Sequence, residues 1–386
     1  MLDIIALFIL ALWLYLLAAR GGFWLARPHE ERPEWPGPAS WPTVTAVIPA
    51  RDEATSIARC LRSFLSQDYP GALQVVVVND DSQDSTAAIA EQTAAGMGAR
   101  DRLTVLRGQP LPPGWTGKVW AQKQGIDRAL ASVPPPRYLL LTDADIDYAP
   151  PVLRGLVSRA ENASLVLTSV MAKLNCESFA ERCFIPAFVF FFRMLYPFAW
   201  VNRRNSTTAA AAGGCMLVRA DVLSAIGGIE AIRGALIDDC ALARKLKPAG
   251  PIWLGLSARV TSIRRYETVG PIRRMVTRSA YAELRYSPLR LIAATAGMAV
   301  TFLAAPLLAL LATGGSALLG LAAWGAMVVA FQPTLRLYGL NPLWGLALPL
   351  IALAYMIWTI ESALQYARER GGAWKGRMQA ATRGAP

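Results

Sequence analysis

The stretch that decides the fold is Arg137-Tyr-Leu-Leu-Leu-Thr-Asp143-Ala-Asp145-Ile-Asp147-Tyr-Ala-Pro150. Its apolar run has the pattern of a strand that is covered on both faces of a sheet. Carboxylates follow at alternate positions, where such a strand ends. Two neighbouring carboxylates are costly to keep ionised unless a cation or hydrogen-bond donors lie beside them. Two interpretations of Asp143 and Asp145 are open: a metal-binding pair, or a solvated acidic turn.

Around this stretch, residues 44 to about 170 alternate apolar strand patterns with amphipathic helix patterns. The alternation is typical of an α/β fold, a parallel sheet with helices on both faces. The expected strands cover 43–49, 73–78 and 103–106, and the expected helices cover 53–66, 83–97 and 118–131.

Polar residues stand at the predicted carboxyl ends of three strands, at 51–53, 79–81 and 143–145. Open α/β sheets bind ligands at this edge, so we expect the three clusters to converge. Convergence favours the metal-binding interpretation of the Asp pair. The ion that suits oxygen ligands is Mg²⁺ or Mn²⁺, which usually also binds substrate phosphates.

Composition excludes several classes of site. The single histidine, His29, makes a Ser-His-Asp triad, a zinc-protease motif and a Cys-His dyad improbable, so a general base is most simply a carboxylate. The five cysteines lack a Cys-x-x-Cys pair, which argues against a disulfide framework. No Gly-x-Gly-x-x-Gly follows the first strand, and no P-loop motif occurs. The net charge of +12 predicts an anionic partner: a phosphate ligand, an acidic membrane surface or nucleic acid.

The apolar fraction of 54% is high for a soluble protein and is concentrated at the two ends of the chain. Residues 2–19 are apolar except for Asp3, and a helix of this length measures roughly 27 Å, about the thickness of a bilayer core. Positive charge follows at Arg20 and Arg27. The positive-inside rule then predicts an uncleaved anchor with its N-terminus outside.

Three further apolar segments, near 291–312, 316–332 and 343–361, precede a basic tail. One anchor and three spans would place this tail outside, against the positive-inside rule. Either one segment is re-entrant or interfacial, or the rule fails at this end.

Two segments have the composition of membrane-surface helices. Residues 264–290 contain seven arginines and two glutamates with interleaved tyrosines, which favours an interfacial helix on anionic lipid over a nucleic-acid site. Residues 178–200 are strongly aromatic. They fit a helix at the membrane surface, a helix lining an entry for an apolar substrate, or a helix in a soluble core.

Three weaker signals stand apart. Lys118 opens a predicted helix after a Pro/Gly-rich loop and either contacts an anion or is solvated. Gly213 and Gly214 permit close approach of backbone or ligand. Asp238 and Asp239, taken alone, are ordinary carboxylates in a first helical turn.

Together the motifs resemble the family 2 glycosyltransferases of the GT-A fold. The resemblance is carried by Val47-Ile-Pro-Ala-Arg-Asp-Glu53, by Val78-Asn-Asp-Asp-Ser-Gln-Asp-Ser-Thr86, by Asp143-Ala-Asp145 and by Asp238-Asp239. It implies a GT-A sheet, parallel or mixed, with helices on both faces and with terminal transmembrane helices. It also implies a nucleotide-sugar donor, most simply a UDP-sugar.

The resemblance further implies a role for each site residue. Asp143 and Asp145 would bind Mg²⁺ or Mn²⁺, and Asp239 would be the catalytic base beside Asp238. The donor would contact Glu53 and Asp80 at the nucleoside, and also Arg51, Lys118, Asp143 and Gly214. Processive synthases of the family carry Gln-x-x-Arg-Trp, where this chain has Ala282-Glu-Leu-Arg285-Tyr286, so Arg285 alone would keep a pyrophosphate role.

Longer matches, such as Gly114-Trp-Thr-Gly-Lys118-Val-Trp-Ala and Ala211-Ala-Gly-Gly-Cys-Met-Leu-Val-Arg219, resemble the hopene-associated subgroup. This resemblance implies a membrane lipid acceptor of the hopanoid class at a bacterial inner membrane, with no nucleic-acid partner and no predictable protein partner. The alternatives are a processive polysaccharide synthase, a phosphohydrolase of the haloacid dehalogenase class, and a nucleotide-binding scaffold.

The expected organisation follows from these features. It comprises an N-terminal anchor (1–27), a linker (28–42), a cytoplasmic GT-A catalytic domain (43–262), a basic interfacial helix region (263–290), C-terminal membrane segments (291–362) and a basic tail (363–386).

Overall fold

The computed structural model describes residues 1–31 and 35–368, and the backbone of 373–374 and 377–378. The chain forms two compact units. Of the described residues, the sheet unit contains those within Pro28–Asn175 and Trp200–Arg264, and the helical unit contains those within Met1–Arg27, Cys176–Ala199 and 265–368. Most of the predicted basic tail lies outside the described residues.

The strands of the main sheet are, in chain order, β1 (Val44–Ala50), β2 (Leu73–Asn79), β3 (Leu103–Arg107), β4 (Tyr138–Leu141), β5 (Ile146–Tyr148), β6 (Leu167–Lys173), β7 (Met216–Arg219) and β8 (Ile252–Ser262). The helices are α1 (Leu2–Ala18), α2 (Ile57–Leu65), α3 (Thr86–Gly96), α4 (Gly117–Leu130), α5 (Val152–Asn162), α6 (Phe179–Leu195), α7 (Phe198–Val201), α8 (Ala220–Ala225), α9 (Asp238–Leu246), α10 (Val269–Glu283), α11 (Pro288–Met298), α12 (Ala304–Leu311), α13 (Gly314–Leu337) and α14 (Leu348–Ala367).

The main sheet is mixed, in the order β3-β2-β1-β4-β7-β6-β8-β5 over the described residues. Strands β3, β2, β1 and β4 run parallel to one another, as the alternating pattern predicts. Strand β7 then runs antiparallel to both β4 and β6, and β5 runs antiparallel to β8. The start of β7 therefore lies at the same edge as the end of β4, which brings residues near 214 to residues near 143.

The central strands are hydrophobic because both of their faces are covered. Every residue of β1 and of β4 is buried, including Ile48 and Leu140. Phe64 and Leu61 of α2 are fully buried in the same core. Burying one such side chain stabilises the fold by about 1.5–3 kcal/mol relative to leaving it exposed. The register pairs Ala50 with Asn79, so the polar residues that follow β1 and β2 emerge side by side.

The predicted elements occur, with shifted ends. Helix α2 begins at Ile57, not at residue 53, because residues 51–56 form a turn that presents its side chains at the sheet edge. The predicted linker at 28–42 also differs from the structure at its start. Pro28 pairs with Leu256 of β8, and His29 Nδ1 lies 2.9 Å from the carbonyl oxygen of Leu256.

In the helical unit, the aromatic helix α6 is central. Its Phe190 is fully buried, with ring centroids 5.2 Å from both Phe23 and Phe331. The N-terminus of α6 has a capping box, in which the Ser178 hydroxyl accepts from the N–H of Glu181 and the Glu181 carboxylate accepts from that of Ser178. The segment at 178–200 therefore packs among other apolar helices and does not belong to the core under the sheet.

Three helical stretches of the described residues are long and apolar enough to cross a membrane: Pro288–Leu311, Gly314–Leu337 and Pro342–Ala367. Helix α1 is a shorter apolar helix of 17 residues. The basic region predicted at 263–290 contains the helix α10, which begins only at Val269, and Arg264 belongs to the sheet unit.

Candidate active site

The Asp-x-Asp turn after β4 is fastened to the turn before β7. The hydroxyl groups of Thr142 and Tyr148 both donate to the carbonyl oxygen of Gly214, at 2.8 and 2.7 Å. A side chain on Gly214 would approach Ile146 to 3.1 Å, so the glycine allows the two turns to meet. The structure thus brings the predicted residue Gly214 to the edge where Asp143 and Asp145 lie.

Lys118 lies at the centre of the carboxylate cluster. It extends from the first turn of α4, and its Nζ lies 2.8 Å from Oδ1 of Asp143 and 3.1 Å from Oδ2 of Asp238. The side chain is 16% exposed, so these ion pairs are largely shielded from solvent. Of the two interpretations that the sequence leaves open for Lys118, the solvated side chain is excluded.

Asp239 is oriented by main-chain donors. Its Oδ2 accepts from the N–H of Gly213 at 2.9 Å, and its Oδ1 accepts from the N–H of Cys240 at 2.7 Å. Asp238, its neighbour at the start of α9, faces Lys118 and lies 3.5 Å from Nε2 of the buried Gln122. The two carboxylates are therefore more than capping residues, because they contact side chains and backbone from α4 and from the turn before β7.

Burial and mutual charge shift the pKa values of this cluster. Burial and the neighbouring Asp238 carboxylate raise the pKa of Asp239 to about 6, against the opposing effect of Lys118. Burial also raises the pKa of Asp143, although Lys118 opposes it. Burial alone would lower the pKa of Lys118, but Asp143, Asp238 and Asp239 outweigh it and raise that pKa. The ammonium group is thus charged in the folded protein.

Asp145, the second carboxylate of the Asp-x-Asp pair, contacts a different basic side chain, Arg264. Nε of Arg264 lies 2.6 Å from Oδ2 of Asp145, and Nη2 lies 3.1 Å from Oε1 of Glu53. Glu53 is also bound by the hydroxyl of Ser56 at 2.8 Å. Arg264 thus joins the Asp-x-Asp turn to the turn after β1.

At the ends of β1 and β2, Arg51 binds the turn that contains Asp80. Nη1 of Arg51 donates to the carbonyl oxygens of Asp80 and Asp81, at 2.6 and 3.2 Å. Asp80 is fully buried, and Asp52 and Asp81 have left-handed backbone conformations, with φ of 50° and 54°. Such conformations are uncommon outside glycine and cluster at functional sites.

The structure therefore gathers most of the predicted site residues in the sheet unit: Arg51, Glu53, Asp80, Lys118, Asp143, Asp145, Gly214, Asp238 and Asp239. The tenth, Arg285, belongs to the helical unit. It follows α10 in a left-handed turn with φ of 52° and is exposed. Its role stays a prediction.

Sequence reasoning missed three residues of the cluster. Arg264 had no local signal, because its partner Asp145 is 119 positions away in the chain and the surrounding arginines suggested a lipid surface. Gln122 stands one helical turn after Lys118, a spacing that would have placed both side chains on one face of α4. The pair Gly213-Gly214 indicates a close approach of backbone or ligand, but the sequence does not show that the N–H of Gly213 donates to Asp239.

The donor set fits a hard divalent cation that is shared with a substrate. Asp143 and Asp145 present carboxylate oxygens, the ligands that Mg²⁺ and Mn²⁺ prefer. Across residues 1–31 and 35–368, no group of three or more His, Cys, Asp or Glu side chains is placed to enclose a metal ion. Mg²⁺ commonly takes one or two carboxylates and completes its shell with water and substrate phosphates, which matches this pair.

Residues 42–282, well over half of the 386-residue chain, match the model of the family described as Glycosyltransferase like family 2. The chain belongs to this family. The match covers the Asp-x-Asp turn, Lys118 and the Asp238–Asp239 pair.

Two curated proteins match shorter parts of the chain. An N-acetylglucosaminyltransferase of Mesorhizobium japonicum is 30% identical over 131 residues, which cover 34% of this chain and 28% of that protein. Glycosyltransferase AglE of Haloferax volcanii is 33% identical over 93 residues, which cover 24% of this chain and 28% of that protein. The matched segments thus span less than a third of either relative.

Among solved structures, the mannosyltransferase PcManGT from Pyrobaculum calidifontis, in complex with GDP-Man and Mn²⁺, has a TM-score of 0.54 at 18% identity. The likeness covers 95% of this chain and 99% of that chain. At this identity it is a likeness of fold. It confirms the predicted GT-A fold.

Proposed function

We propose that this protein is an inverting, metal-dependent glycosyltransferase that transfers a sugar from a nucleotide-sugar donor to a membrane lipid. The observation that supports it most directly is the convergence of Asp143, Asp238 and Asp239 on Lys118 at the ligand-binding edge of a GT-A sheet. Family membership supports the reaction class. The mannosyltransferase of similar fold, solved with GDP-Man and Mn²⁺, supports the choice of donor and metal.

In this proposal the donor lies along the carboxyl edge of β1, β2 and β4. A cleft of about 820 Å³ opens at the ends of β2 and β3, lined in part by Asn79, Asp81 and Gly108. Its size suits a nucleoside. Asp80 and Glu53 border this end of the edge, and Lys118, beside Asp143, would face the diphosphate. We propose a UDP-sugar as the donor, with a GDP-sugar as the alternative.

Asp143 and Asp145 would bind Mg²⁺ or Mn²⁺. Such an ion neutralises negative charge that develops on a departing diphosphate. Lys118 contacts one oxygen of Asp143 and Arg264 contacts one oxygen of Asp145, so the ion would share both carboxylates with these basic side chains. The two basic side chains would remain near the phosphates and add to their stabilisation.

Asp239 would be the general base. It would accept the proton of the acceptor hydroxyl at a carboxylate oxygen as that hydroxyl attacks the anomeric carbon, and a single displacement inverts the carbon. A pKa raised to about 6 gives Asp239 more affinity for a proton than an ordinary aspartate while leaving it ionised at neutral pH. The N–H groups of Gly213 and Cys240 keep it oriented.

For the acceptor we propose a membrane lipid of the hopanoid or a similar polycyclic class. The support is the sequence resemblance to the hopene-associated subgroup and the three long apolar helices of the helical unit. We propose accordingly a multi-pass protein of a bacterial inner membrane whose sheet unit faces the cytoplasm. Neither the family match nor the short curated relatives names this acceptor.

The alternatives are less well supported. The family match does not favour a phosphohydrolase, and Asp147, bound to Arg59 at 2.6 Å, stands where that class has Thr or Val. A processive synthase lacks support because the Gln and Trp of its motif are missing. A nucleotide-binding scaffold would bind donors without turnover.

The experiment incubates the purified protein in lipid with UDP- and GDP-sugars, with Mn²⁺ or with chelator. A transferase releases nucleoside diphosphate when a lipid extract is added, whereas a phosphohydrolase releases phosphate. Asp145→Ala should weaken donor binding only when metal is present, and the exposed Asp127→Asn should not. Mass spectrometry of lipids from cells with and without the protein should find one missing glycolipid. Turnover that does not change when chelator is added would contradict the proposed metal dependence.

A further inference from the structure

The contact between Asp3 and Ser316 sets the direction of α13 in the helical unit. Oδ1 of Asp3 accepts a hydrogen bond from the hydroxyl of Ser316 at 2.6 Å, and each residue lies in the first turn of its helix. The two helices pack against each other. At their other ends, Phe23, shortly after α1, and Phe331, late in α13, both contact the ring of Phe190. Helices α1 and α13 are therefore parallel, and we call their shared start the far end and their shared finish the near end.

The preceding pair of helices, α11 and α12, runs the opposite way. Only Ala312 and Thr313 separate the last residue of α12 from α13, so α12 finishes at the far end. A side chain on Gly320 of α13 would approach Leu308 to 2.7 Å, which confirms that the two helices lie side by side. The start of α11, at Pro288, is therefore toward the near end.

Helix α14 begins beside the last third of α13. Nε2 of Gln332 donates to the carbonyl oxygen of Pro342 at 3.1 Å. A side chain on Gly345 would come within 2.9 Å of Val328. The short 3-10 helix Pro342–Ala347, which leads into α14, thus packs against the near half of α13.

Helix α14 also finishes at the near end. The hydroxyl of Ser362 accepts from the N–H of Tyr281 at 3.0 Å, at the end of α10. The ring of Tyr366 stacks on Tyr286 with centroids 4.5 Å apart, and Tyr286 stands two residues before α11. Both ends of α14 therefore lie toward the same end of the bundle.

We infer that α14 does not cross the bilayer but is a re-entrant helix within the leaflet at the near end. Lipid covers the exposed face of α14. Leu350, Ile357 and Leu364 are 71, 52 and 52% exposed and form one apolar stripe that acyl chains can contact. Together with the 3-10 helix that precedes it, α14 is long enough to cross a membrane, so the inference rests on where its two ends lie and not on its length. Near its end, Glu361 pairs with Arg273 of α10 at 2.6 Å.

A re-entrant α14 removes the conflict between the number of predicted spans and the basic residues near the C-terminus. With α1, α11–α12 and α13 as the crossings, the chain crosses three times, so the N-terminus and the C-terminus lie on opposite sides. Arg368, just after α14, then lies on the same side as Arg20 and Arg27, as the positive-inside rule requires. The inference does not depend on the proposed donor or acceptor.

The test labels single cysteines in the full-length protein in intact cells with a membrane-impermeant maleimide. The variants are Thr313→Cys, Asn341→Cys and a cysteine appended to the C-terminus, in a background with Cys176→Ser and Cys183→Ser. The other natural cysteines, Cys60, Cys215 and Cys240, are buried. We expect Thr313→Cys to be labelled from outside, and Asn341→Cys and the C-terminal cysteine to be labelled only after permeabilisation.

Labelling of Asn341→Cys and of the C-terminal cysteine from opposite sides would overturn the inference, because only a crossing α14 separates them. Epitope tags at the same two positions, detected by antibody before and after permeabilisation, keep the test decisive if a cysteine fails to react. A Thr313→Cys variant that is inaccessible from outside would also overturn it, because α13 would then not begin at the far side.

Discussion

Nζ of Lys118 lies 2.8 Å from Oδ1 of Asp143, so a cation supplied by the protein already occupies the first carboxylate of the proposed metal pair. The same atom lies 3.1 Å from Oδ2 of Asp238. Lys118 therefore connects the Asp-x-Asp turn to the helix that presents the proposed base. An incoming divalent ion and Lys118 share Asp143, which leads to the first prediction.

Replacing Lys118 by Met should reduce kcat/KM for the donor by about 100-fold, because partly buried carboxylates lose their counter-charge. In the absence of donor, the same variant should bind Mn²⁺ more tightly than wild type, because Asp143 is no longer shared. Steady-state kinetics and Mn²⁺ titration measure the two effects.

The matched control is Lys123→Met on the same helix, whose Nζ pairs with Asp127 and Glu230 away from the cluster. It should leave both quantities near wild type. If Lys118→Met binds Mn²⁺ more weakly than wild type, the two cations do not compete for Asp143.

Protonation of Asp239 should lower kcat/KM on the acid side of the pH profile. Burial and the Asp238 carboxylate raise its pKa to about 6, while Lys118 and the N–H groups of Gly213 and Cys240 favour its ionised form. A base acts when it is deprotonated, so kcat/KM should be constant above pH 7 and fall by about tenfold per pH unit below the pKa.

Asp239→Asn should lose this turnover while retaining donor binding, which calorimetry measures. An activity that stays constant down to pH 4.5 would rule out Asp239 as the titrating base. Asp127→Asn, an exposed carboxylate on α4, is the matched control and should keep the wild-type profile.

Arg264→Gln should raise the donor KM by about tenfold, because Asp145 and Glu53 lose the guanidinium that joins them. The adjacent residue supplies the control. Arg265 pairs with Glu177, and both side chains are about two-thirds exposed, so Arg265→Gln removes only a solvated ion pair. Equal KM values for the two variants would show that the contact of Arg264 with Asp145 has no role in donor binding.

Gly213→Ala should lower kcat/KM by about tenfold with little change in Tm. The added methyl group would lie 3.1 Å from Nζ of Lys118, so the ammonium group must move by a few tenths of an ångström, and it would touch Oδ2 of Asp239 at 3.4 Å. Gly155→Ala in α5 is the control, because nothing lies within 4 Å of its added methyl group. It should raise stability by up to about 1 kcal/mol without changing activity. A Gly213→Ala enzyme with wild-type kcat/KM would contradict the close packing.

The fold of the sheet unit was largely predictable because its signals are local. Continuous apolar runs such as 138–141 have a strand period, and the carboxylates that follow them mark the ligand-binding edge. The reversal of β7 against β4 was not predictable, because a short apolar run such as Met216–Arg219 carries no signal for the direction in which it pairs. That reversal is what brings Gly214 beside Asp143.

The carboxylates of the site were predictable, but the contacts of its cations were not. Aspartates after strands and at a helix start carry a sequence pattern, and the family resemblance adds their roles. Arg264 carries none, and for Lys118 the sequence leaves an anion contact and a solvated side chain both open, because a lysine or arginine is most often solvated. Only the folded chain shows that each lies within 3 Å of one carboxylate of the Asp-x-Asp pair.

The amino-acid sequence by itself determined which segments are strands, which helices are apolar enough for a membrane, and which acidic residues can serve a metal and a base. These properties depend on the period and polarity of neighbouring residues. The tertiary structure decided how the carboxylates are paired and which apolar helix has both ends at one end of its bundle. Such relationships join residues that are distant in the chain, such as Asp145 and Arg264 at 119 positions, and only the packing of the whole chain determines them.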